Sequence, residues 1–228
     1  MAHITRVANV VGASIALVAA TAAINAATQS KWLLTFALSE KGAHVVGSPT
    51  APTKVVEYLS YTCGHCANFE INETPMFKTQ YVATGKASLE IRNFILNPFD
   101  LTAAMLARCG GKGRFFGNHK HLFATQAQWT AKTSSLSAAT KSKLQAEDYV
   151  GFMTGVYIET GLVAIMQQRG ITQVQGKACL ADRSAFNTII SMTEEAERLG
   201  IKGTPTFLIN GKVQDHIHDF QSLKSKLK

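Results

Sequence analysis

Residues 63 to 66 read Cys-Gly-His-Cys and follow the apolar run from Val55 to Tyr61. Such a run predicts a buried strand, so the first cysteine would stand at the start of a helix. The open amides of a helix N-terminus stabilise a thiolate, which favours Cys63 as a nucleophile with a lowered pKa. Cys66, one turn later, is close enough to resolve a mixed disulfide. A structural disulfide or half of a zinc site is the alternative, but zinc normally needs two further ligands at short spacings, and the other cysteines are single and distant.

The N-terminal residues have the layout of a secretory signal. Arg6 provides a short positive region, Val10 to Ala23 is apolar, and small residues follow at Ala26 and Ala27. We therefore predict a signal peptide over residues 1–26, cleaved after one of the two alanines, and export to the periplasm. An uncleaved anchor is the alternative, although the apolar stretch is short and interrupted by hydroxyl residues. Export would place all the cysteines in a compartment where disulfides persist.

Length and composition indicate one elaborated globular domain rather than a disordered or coiled-coil chain. The chain has 228 residues, of which 46% are hydrophobic, and its formal net charge is +8. A nucleic-acid partner would require the basic side chains to be clustered. They are scattered, and the densest stretch, Lys112 to His121, is short and contains two glycines. We therefore expect a solvated basic surface and no nucleic-acid partner.

The two ends of the predicted domain contain the strands. A short strand is predicted within Trp32 to Leu38, and Gly42 to Pro52 is a turn-rich lead-in. Val55 to Tyr61 has the pattern of a strand buried on both faces, and Leu89 to Leu96 follows as a second strand. Strand character returns at Thr206 to Ile209, where an Asn-Gly pair indicates a hairpin.

Between these regions, a stretch of about 100 residues has the periodicity of helices. Asp100 is expected to cap the first of these helices and Asp182 the clearest one. The predicted fold class is therefore α/β, with a mixed central sheet, flanking helices and an all-helical insertion. We place the scaffold at about 53–97 and 200–228 and the insertion at about 98–199.

The order of these features resembles the thioredoxin superfamily and, within it, the exported DsbA-like thiol:disulfide oxidoreductases. The resemblance extends from about Trp32 to the end of the chain. It implies a thioredoxin fold and a single DsbA-like domain over residues 27–228. The segments that carry it are similar to the family's strand and redox motif, its following Phe-Glu pair, its cis-proline loop and its hairpin. They are Glu57 to Cys66, Phe69-Glu70, Gly203 to Phe207 and Leu208 to Gly211.

By this resemblance, Cys63 exchanges with substrates and Cys66 is its redox partner. His65 would stabilise the Cys63 thiolate when protonated and so make the disulfide a stronger oxidant. Glu57 would be a buried acid beneath the motif, with a raised pKa, that carries the Cys66 proton, and the alternative register turns it to solvent. Glu70, on the same helical face as Cys63, would modulate the charge of the motif or be an exposed acid.

The resemblance also implies that a cis peptide bond precedes Pro205 and that this loop packs against the redox pair. Gly64, Thr204 and Pro205 would then border the place where substrate binds, because the Thr204 backbone is free to pair with an extended chain. An ordinary trans proline at the start of an edge strand is the alternative.

Cys109 and Cys179 lie on separate predicted helices of the insertion. An even pair left over in an oxidising compartment suggests a structural disulfide. Similar pairs in some DsbA-like proteins of alphaproteobacteria support this pairing by resemblance. Two buried free thiols and a second redox relay are the alternatives.

The histidines outside the motif give little indication of function. His119 and His121 are two residues apart, so they face different ways on a helix. His216 and His218 are expected to be solvated polar residues rather than metal ligands. We therefore expect no metal and no cofactor other than the redox-active cysteine pair.

Taken together, the residues and the resemblance imply an exported enzyme that oxidises cysteine pairs in secreted or periplasmic proteins. Reduced secreted proteins would be its substrates, a quinone-linked membrane protein would reoxidise it, and it would act as a monomer.

Two other functions stay open. A disulfide isomerase or reductase is favoured by Gly64, which replaces the proline of the best-known DsbA motif, and by Thr204, which exported isomerases tend to carry. Against it, the segment between the predicted cleavage site and the first redox strand is too short for the dimerisation region of DsbC-like isomerases. A metal chaperone or binding module would require a Met-rich or His-rich ligand set near the cysteines, and the motif has none beside it.

Overall fold

The computed structural model describes residues 31–227, and its centre is a six-stranded sheet. The strands are β1 (Phe36–Leu38), β2 (His44–Gly47), β3 (Thr53–Leu59), β4 (Ala87–Asn93), β5 (Thr206–Ile209) and β6 (Lys212–Gln214). Their order across the sheet is β1-β2-β4-β3-β5-β6. Strands β3 and β4 are parallel, and every other neighbouring pair is antiparallel. The mixed sheet predicted from the sequence is therefore confirmed, with β3 near its middle.

The helical region after β3 is broken into short pieces. It comprises α1 (Gly64–Asn68), a π-helical turn (Phe69–Glu73), α2 (Thr74–Phe77) and a second π-helical turn (Lys78–Val82). Pro75 lies in the first turn of α2, where its missing N–H breaks no helical hydrogen bond. The region begins at the redox motif and returns the chain to β4.

A helical insertion separates β4 from β5, as the sequence predicted. Its helices are α3 (Pro98–Ala107), α4 (Lys112–Ala124), α5 (Gln126–Thr130), α6 (Ala138–Gln145), α7 (Tyr149–Glu159), α8 (Leu162–Gln167), α9 (Gln173–Leu180) and α10 (Arg183–Arg198), with a 3-10 turn at Thr133–Ser135. A final helix, α11 (Phe220–Lys226), follows β6. Asp182 caps α10 as predicted, by accepting hydrogen bonds from the amides of Ser184 and Ala185.

The expected capping role of Asp100 is wrong. Asn97 is the N-cap of α3 and accepts hydrogen bonds from the amides of Phe99 and Asp100. Pro98 takes the first helical position, where it suits a helix start. Asp100 therefore lies inside the first turn, fully buried, and its carboxylate is free for other partners.

The N-terminal part of the sheet also differs from the prediction. The expected strand within Trp32 to Leu38 is reduced to β1, and the turn-rich lead-in contains β2. Strand β2 pairs with both β1 and β4, so distant neighbours supply the hydrogen bonds that the local sequence does not suggest. Gly47 ends β2 with φ +122°, and a Cβ there would come 3.0 Å from Ser88 Cα, so this close crossing requires glycine.

The two faces of β3 contribute to two separate cores. Val55 and Leu59 join the large core that also contains the redox helix and most of the insertion. Val56 and Tyr58 point the other way, into a smaller cluster that includes Ala196 of α10. Because side chains alternate along a strand, Glu57 faces the large core, on the side of the redox motif.

The predicted signal peptide, residues 1–26, lies outside the described residues. Within residues 31–227, the helices are all too short or too polar to span a bilayer.

Candidate redox site

Cys63 is the N-cap of α1, so its sulfur faces the open amides of the helix. The Cys66 amide donates a hydrogen bond to Cys63 Sγ over 3.3 Å. On the other side, Cys63 Sγ lies 3.2 Å from the Thr204 carbonyl oxygen. Both thiols are unbonded; Cys63 is partly exposed and Cys66 is fully buried. The sulfur that the sequence assigns to substrate exchange is thus the accessible one of the pair.

The surroundings of Cys63 lower the pKa of its thiol to about 5. A hydrogen bond from the Cys66 thiol contributes most, burial opposes it, and the Thr204 side chain and the amides of Cys66 and His65 add to the lowering. The contact with the Thr204 carbonyl works against them, because a carbonyl oxygen stabilises only the protonated sulfur. The balance favours a thiolate at neutral pH.

His65 acts on this thiolate through its backbone rather than its ring. Its amide N–H is one of the donors that lower the pKa of Cys63. The imidazole is exposed, and within residues 31–227 it makes no hydrogen bond to either sulfur. The electrostatic role expected for the protonated ring stays a prediction.

Cys66 and Glu57 lie together in a dry environment beneath the motif. Burial, the hydrogen bond to Cys63 and the nearby Glu57 carboxylate raise the pKa of the Cys66 thiol. Glu57 is 0% exposed, and neither of its carboxylate oxygens has a hydrogen-bond partner among the described residues. Burial, and then repulsion from Glu70, raise the pKa of Glu57 well above its ordinary value. The alternative register, with Glu57 in solvent, is therefore wrong, and burial without a hydrogen-bond partner favours the protonated form of its carboxyl.

Glu70 is the opposite case, a buried carboxylate that is ionised. Burial works to raise its pKa, but the electrostatic influence of His119 and Lys78 outweighs it and holds the pKa at about 2. Glu70 Oε2 lies 3.4 Å from His119 Nε2, and Oε1 lies 3.8 Å from Lys78 Nζ. The interpretation of Glu70 as an exposed acid is wrong, since only 2% of it is exposed.

His119 joins Glu70 to the strand that leads into the motif. Its Nδ1 lies 2.8 Å from Tyr61 Oη. Burial raises the pKa of Tyr61 well above its ordinary value, so the phenol stays protonated and donates a hydrogen bond to Nδ1. The other ring nitrogen then carries a hydrogen toward Glu70. His119 was not predicted to belong to the site; its position between Phe115 and Phe123, four residues to each side on one buried helix face, was the available signal.

Two further residues fix the backbone around Cys63. Asp100 accepts hydrogen bonds from the Tyr61 amide, over 2.7 Å, and from the Leu96 amide, over 3.0 Å. Gln126 Nε2, from α5 in the insertion, donates to the carbonyl oxygens of Tyr61 and Cys63 over 2.8 and 3.0 Å. Burial raises the pKa of Asp100 to about 7. The contacts of Asp100 with Tyr61 and of Gln126 with Tyr61 and Cys63 could not be predicted, because these partners are distant in the chain.

The loop before β5 completes the surroundings of Cys63. The Thr204–Pro205 peptide bond is cis, in the loop where the resemblance placed it. The Thr204 hydroxyl is buried and makes no hydrogen bond of ordinary geometry to the described residues, yet it lies near enough to Cys63 to help lower the pKa of that thiol. Gly64 follows Cys63 at the exposed start of α1, and a Cβ there would meet no atom within 4 Å. Gly64, Thr204 and Pro205 therefore surround the accessible sulfur.

Cys109 and Cys179 are joined in a disulfide, with an S–S distance of 2.03 Å and 5.6 Å between the Cα atoms. Cys109 follows α3 and Cys179 lies in α9, so the bond ties two helices of the insertion together. It is separate from the redox pair, and it matches the pairing that the sequence suggested.

A mixed sheet that presents a Cys-x-x-Cys helix start to a cis-proline loop defines the class of thioredoxin-fold redox proteins. The model of the thioredoxin family matches residues 39–228. The chain belongs to this family and is a DsbA-like member of it.

Relatives of known name agree with this assignment. A Rickettsia bellii protein, provisionally named a protein-disulfide oxidoreductase, is 30% identical over 196 residues, which make up 85% of this chain and 66% of the relative. A Rickettsia typhi protein of the same provisional name is 31% identical over 73% of this chain and 54% of its own. The chain thus spans between about half and two thirds of the length of these curated relatives.

Two solved structures share the fold closely. The protein-disulfide isomerase of Novosphingobium aromaticivorans has 30% identity and a TM-score of 0.74, over 81% of this chain and 95% of that one. The alpha-DsbA1 of Wolbachia pipientis has 25% identity and a TM-score of 0.65, over 83% of this chain and 91% of that one.

Proposed function

We propose that this protein is an exported thiol:disulfide oxidoreductase that oxidises cysteine pairs in secreted or periplasmic proteins. One observation carries the proposal: the accessible Cys63 sulfur has a pKa of about 5, while burial raises that of Cys66. Stabilising one thiolate stabilises the reduced pair, which makes the disulfide form a strong oxidant. The names of the rickettsial relatives and of the Wolbachia structure support a protein-disulfide activity of this kind.

The reaction begins with the oxidised pair. A substrate thiolate attacks Cys63 Sγ, which forms a mixed disulfide and breaks the Cys63–Cys66 bond, with the electron pair leaving on Cys66. A second substrate thiolate then attacks the substrate sulfur of the mixed disulfide and releases Cys63 as a thiolate. The substrate loses two electrons and two protons, and the enzyme's cysteine pair gains the two electrons. The low pKa of Cys63 makes it a good leaving group in the second step.

Glu57 would supply the proton that Cys66 needs. Cys66 leaves as a thiolate in a buried environment that strongly disfavours its charge. Glu57 lies in the same environment as a protonated acid and is electrostatically coupled to Cys66. Transfer of its proton to Cys66 Sγ neutralises the leaving sulfur, and the reverse transfer assists reoxidation.

The Thr204 backbone would align the substrate. An extended chain that pairs with the cis-proline loop brings its cysteine toward Cys63, since the Thr204 carbonyl is 3.2 Å from that sulfur. Gly64 leaves the start of α1 open, because no atom would crowd even a Cβ there.

The cycle closes when another protein takes the two electrons from reduced Cys63 and Cys66. We propose a quinone-linked membrane reoxidase for this step and a monomeric enzyme without a bound cofactor. Periplasmic location rests on the signal-like sequence of residues 1–26.

A redox titration of the Cys63–Cys66 pair in glutathione buffers tests the proposal. We expect a potential well above the value of about −270 mV that is typical of thioredoxin, toward the value of about −120 mV of strongly oxidising DsbA. The Cys63→Ser variant should lose dithiol oxidation completely. A potential near that of thioredoxin, or activity that survives this substitution, would overturn the assignment.

Disulfide isomerisation is the second candidate, favoured by the combination of Gly64 and Thr204 and by the name of the Novosphingobium structure. A scrambled multi-disulfide protein distinguishes the two. An oxidase should act on reduced substrate but leave the scrambled one almost unchanged, whereas an isomerase should restore native pairing.

A further inference from the structure

We propose that the groove beside Cys63 selects substrates by charge, preferring reduced chains that carry an acidic side chain about two residues from the reacting cysteine. This inference rests on the proposed function and specifies its substrate class.

The groove lies beside the reacting sulfur, because one of its lining residues, Thr204, has its carbonyl oxygen 3.2 Å from Cys63 Sγ. It has a volume of about 610 Å³ and is bounded by His65 and Asn68 of α1, by the cis-proline loop and by residues 213–218 after the β5–β6 turn. Thr204 and Pro205 form its end nearest Cys63. A substrate chain that pairs with the Thr204 backbone would therefore continue into this groove.

The walls of the groove combine apolar and basic groups. Phe207 and Ile217 are buried at its base, and Val213 is 40% exposed. Such surfaces suit an extended peptide of mixed sequence, because apolar contacts give affinity and a few polar groups set orientation.

Its fixed charges are one cation, Lys202, and one anion, Asp215, beside three histidines. The basic lining residues are Lys202, His65, His216 and His218, whereas Asp215 is the one acidic residue among the described lining. Asp219 lies outside the groove, but its carboxylate is close enough to His218 for the two side chains to interact electrostatically. Lys202 forms no salt bridge with any residue in the range 31–227 and is exposed. Lys202 is thus a permanent, uncommitted cation in the path of the substrate.

Chain geometry sets the expected position of the acidic residue. Lys202 precedes Thr204 by two residues, so the backbone between them spans at most about 7 Å, a distance that an extended substrate covers in about two residues. Residues two apart also point to the same face of an extended chain. A carboxylate there would meet Lys202, while a lysine would be repelled.

Matched reduced peptides test this preference. They share one sequence with a pair of cysteines and differ in having Glu, Gln or Lys two residues from the reacting cysteine, on either side. With oxidised glutathione supplied to reoxidise the wild-type protein, we expect kcat/KM to fall from Glu to Gln to Lys, roughly three- to tenfold in total, and the difference to shrink at high salt.

Lys202→Glu should reverse this order, with the Lys peptide becoming the better substrate. Lys86→Glu makes the same charge change at an exposed position outside the groove and should keep the wild-type order. The ratio between peptides within one variant is the readout, so a general loss of activity does not affect it. Equal kcat/KM for the three peptides, or an order that Lys202→Glu leaves unchanged, would overturn the inference.

Oxidation of dithiothreitol by the wild-type protein distinguishes a failure of the charge preference from a failure of the proposed function. Turnover of dithiothreitol without discrimination among the peptides overturns the charge preference alone. Absence of turnover with dithiothreitol and with every peptide overturns the proposed function, and the charge preference with it.

Discussion

Tyr61 and His119 are hydrogen-bonded across 58 residues of sequence, with 2.8 Å between Oη and Nδ1. Tyr61 is on the segment that enters the redox motif, and His119 is on α4 of the insertion. The same histidine approaches Glu70, which lies in the π-helical turn after α1. The insertion therefore takes part in the electrostatics beneath the redox pair, in addition to covering the sheet.

Replacing His119 should destabilise the protein through Glu70. His119→Leu removes the ring N–H that faces the buried, ionised Glu70 carboxylate, leaves Lys78 as its charged neighbour and removes the acceptor of the Tyr61 hydroxyl. We expect a loss of about 1–3 kcal/mol in the free energy of unfolding, measured in urea. His121→Leu, two residues away and without a side-chain partner for its Nε2 among the described residues, is the control and should change stability far less. Equal effects of the two substitutions would contradict the role of the Tyr61–His119–Glu70 chain.

Alkylation of the reduced protein should report the pKa of Cys63. The rate at Cys63 is expected to be half-maximal near pH 5, while Cys66 stays unreactive at neutral pH. A lowered pKa also stabilises the folded reduced form: the gain is complete above the unfolded pKa of about 8.5 and is lost as pH falls toward 5. Cys66→Ala removes the largest contribution and should shift the alkylation profile to higher pH. A midpoint near that of an ordinary thiol would refute the assignment.

Glu57→Gln should change stability in a pH-dependent way. Because the folded pKa of Glu57 is raised, its carboxyl contributes stability below the unfolded pKa of about 4.3 and loses it as pH rises through the folded value. The variant should match the wild type near pH 4 and exceed it at higher pH, by about 1–3 kcal/mol. It should also exchange thiols more slowly at neutral pH, since glutamine cannot carry the proton.

The exposed Glu40→Gln serves as the control for the loss of one carboxylate. It should leave both the pH dependence of unfolding and the exchange rate close to those of the wild type. Parallel stability curves for Glu57→Gln and the wild type, from pH 4 to 9, would show that Glu57 is ionised in the fold.

Gln126→Ala should loosen the backbone at Cys63. The variant loses the two hydrogen bonds that hold the carbonyl oxygens of Tyr61 and Cys63, each worth about 0.5–1.5 kcal/mol. We expect a higher Cys63 pKa and a lower redox potential, because the backbone of Cys63 is no longer fixed and its sulfur is less well aligned with the amides at the start of α1. Gln128→Ala, on the exposed side of the same helix, is the matched control. A destabilised variant with an unchanged potential would mean that Gln126 supports the fold only.

Removal of the second disulfide should affect stability rather than chemistry. Cys109 and Cys179 close a loop of 70 residues, and the chain-entropy model gives about 4 kcal/mol for a loop of that length. The double variant Cys109→Ala/Cys179→Ala should lose about that much in urea unfolding, measured with Cys63 and Cys66 replaced by Ser to prevent disulfide exchange. Thiol mapping of the oxidised wild type should recover Cys109 joined to Cys179. Free thiols at both positions would contradict the bond.

Much of the site could be predicted because it is encoded locally. The strand, the cysteine spacing and the Thr204–Pro205 pair each occupy a few consecutive residues, and the structure brings them together. The prediction that Glu70 shares a helical face with Cys63 stays a prediction, because a π-helical turn interrupts the regular spacing. The ionised state of Glu70 could not be predicted, since that state depends on His119, which belongs to another helix.

The parts that were missed depend on distant partners. Asp100 has the sequence of a helix cap, yet its carboxylate accepts a hydrogen bond from Tyr61, 39 residues earlier. Gln126 looks like any surface glutamine until its contacts with Tyr61 and Cys63, more than 60 residues away, are known. Strand β2 is specified by its neighbours in the sheet rather than by its own pattern.

The reach of Gln126 has a practical meaning for protein engineering. A designer who transplants the Cys-Gly-His-Cys tetrapeptide into a minimal thioredoxin would transfer the sulfurs and the helix start. The Gln126 side-chain amide, which hydrogen-bonds the backbone at Tyr61 and Cys63, would be left behind. Such a chimera would inherit the reactive atoms without their full restraint. A faithful graft has to bring the α4–α5 corner along with the motif.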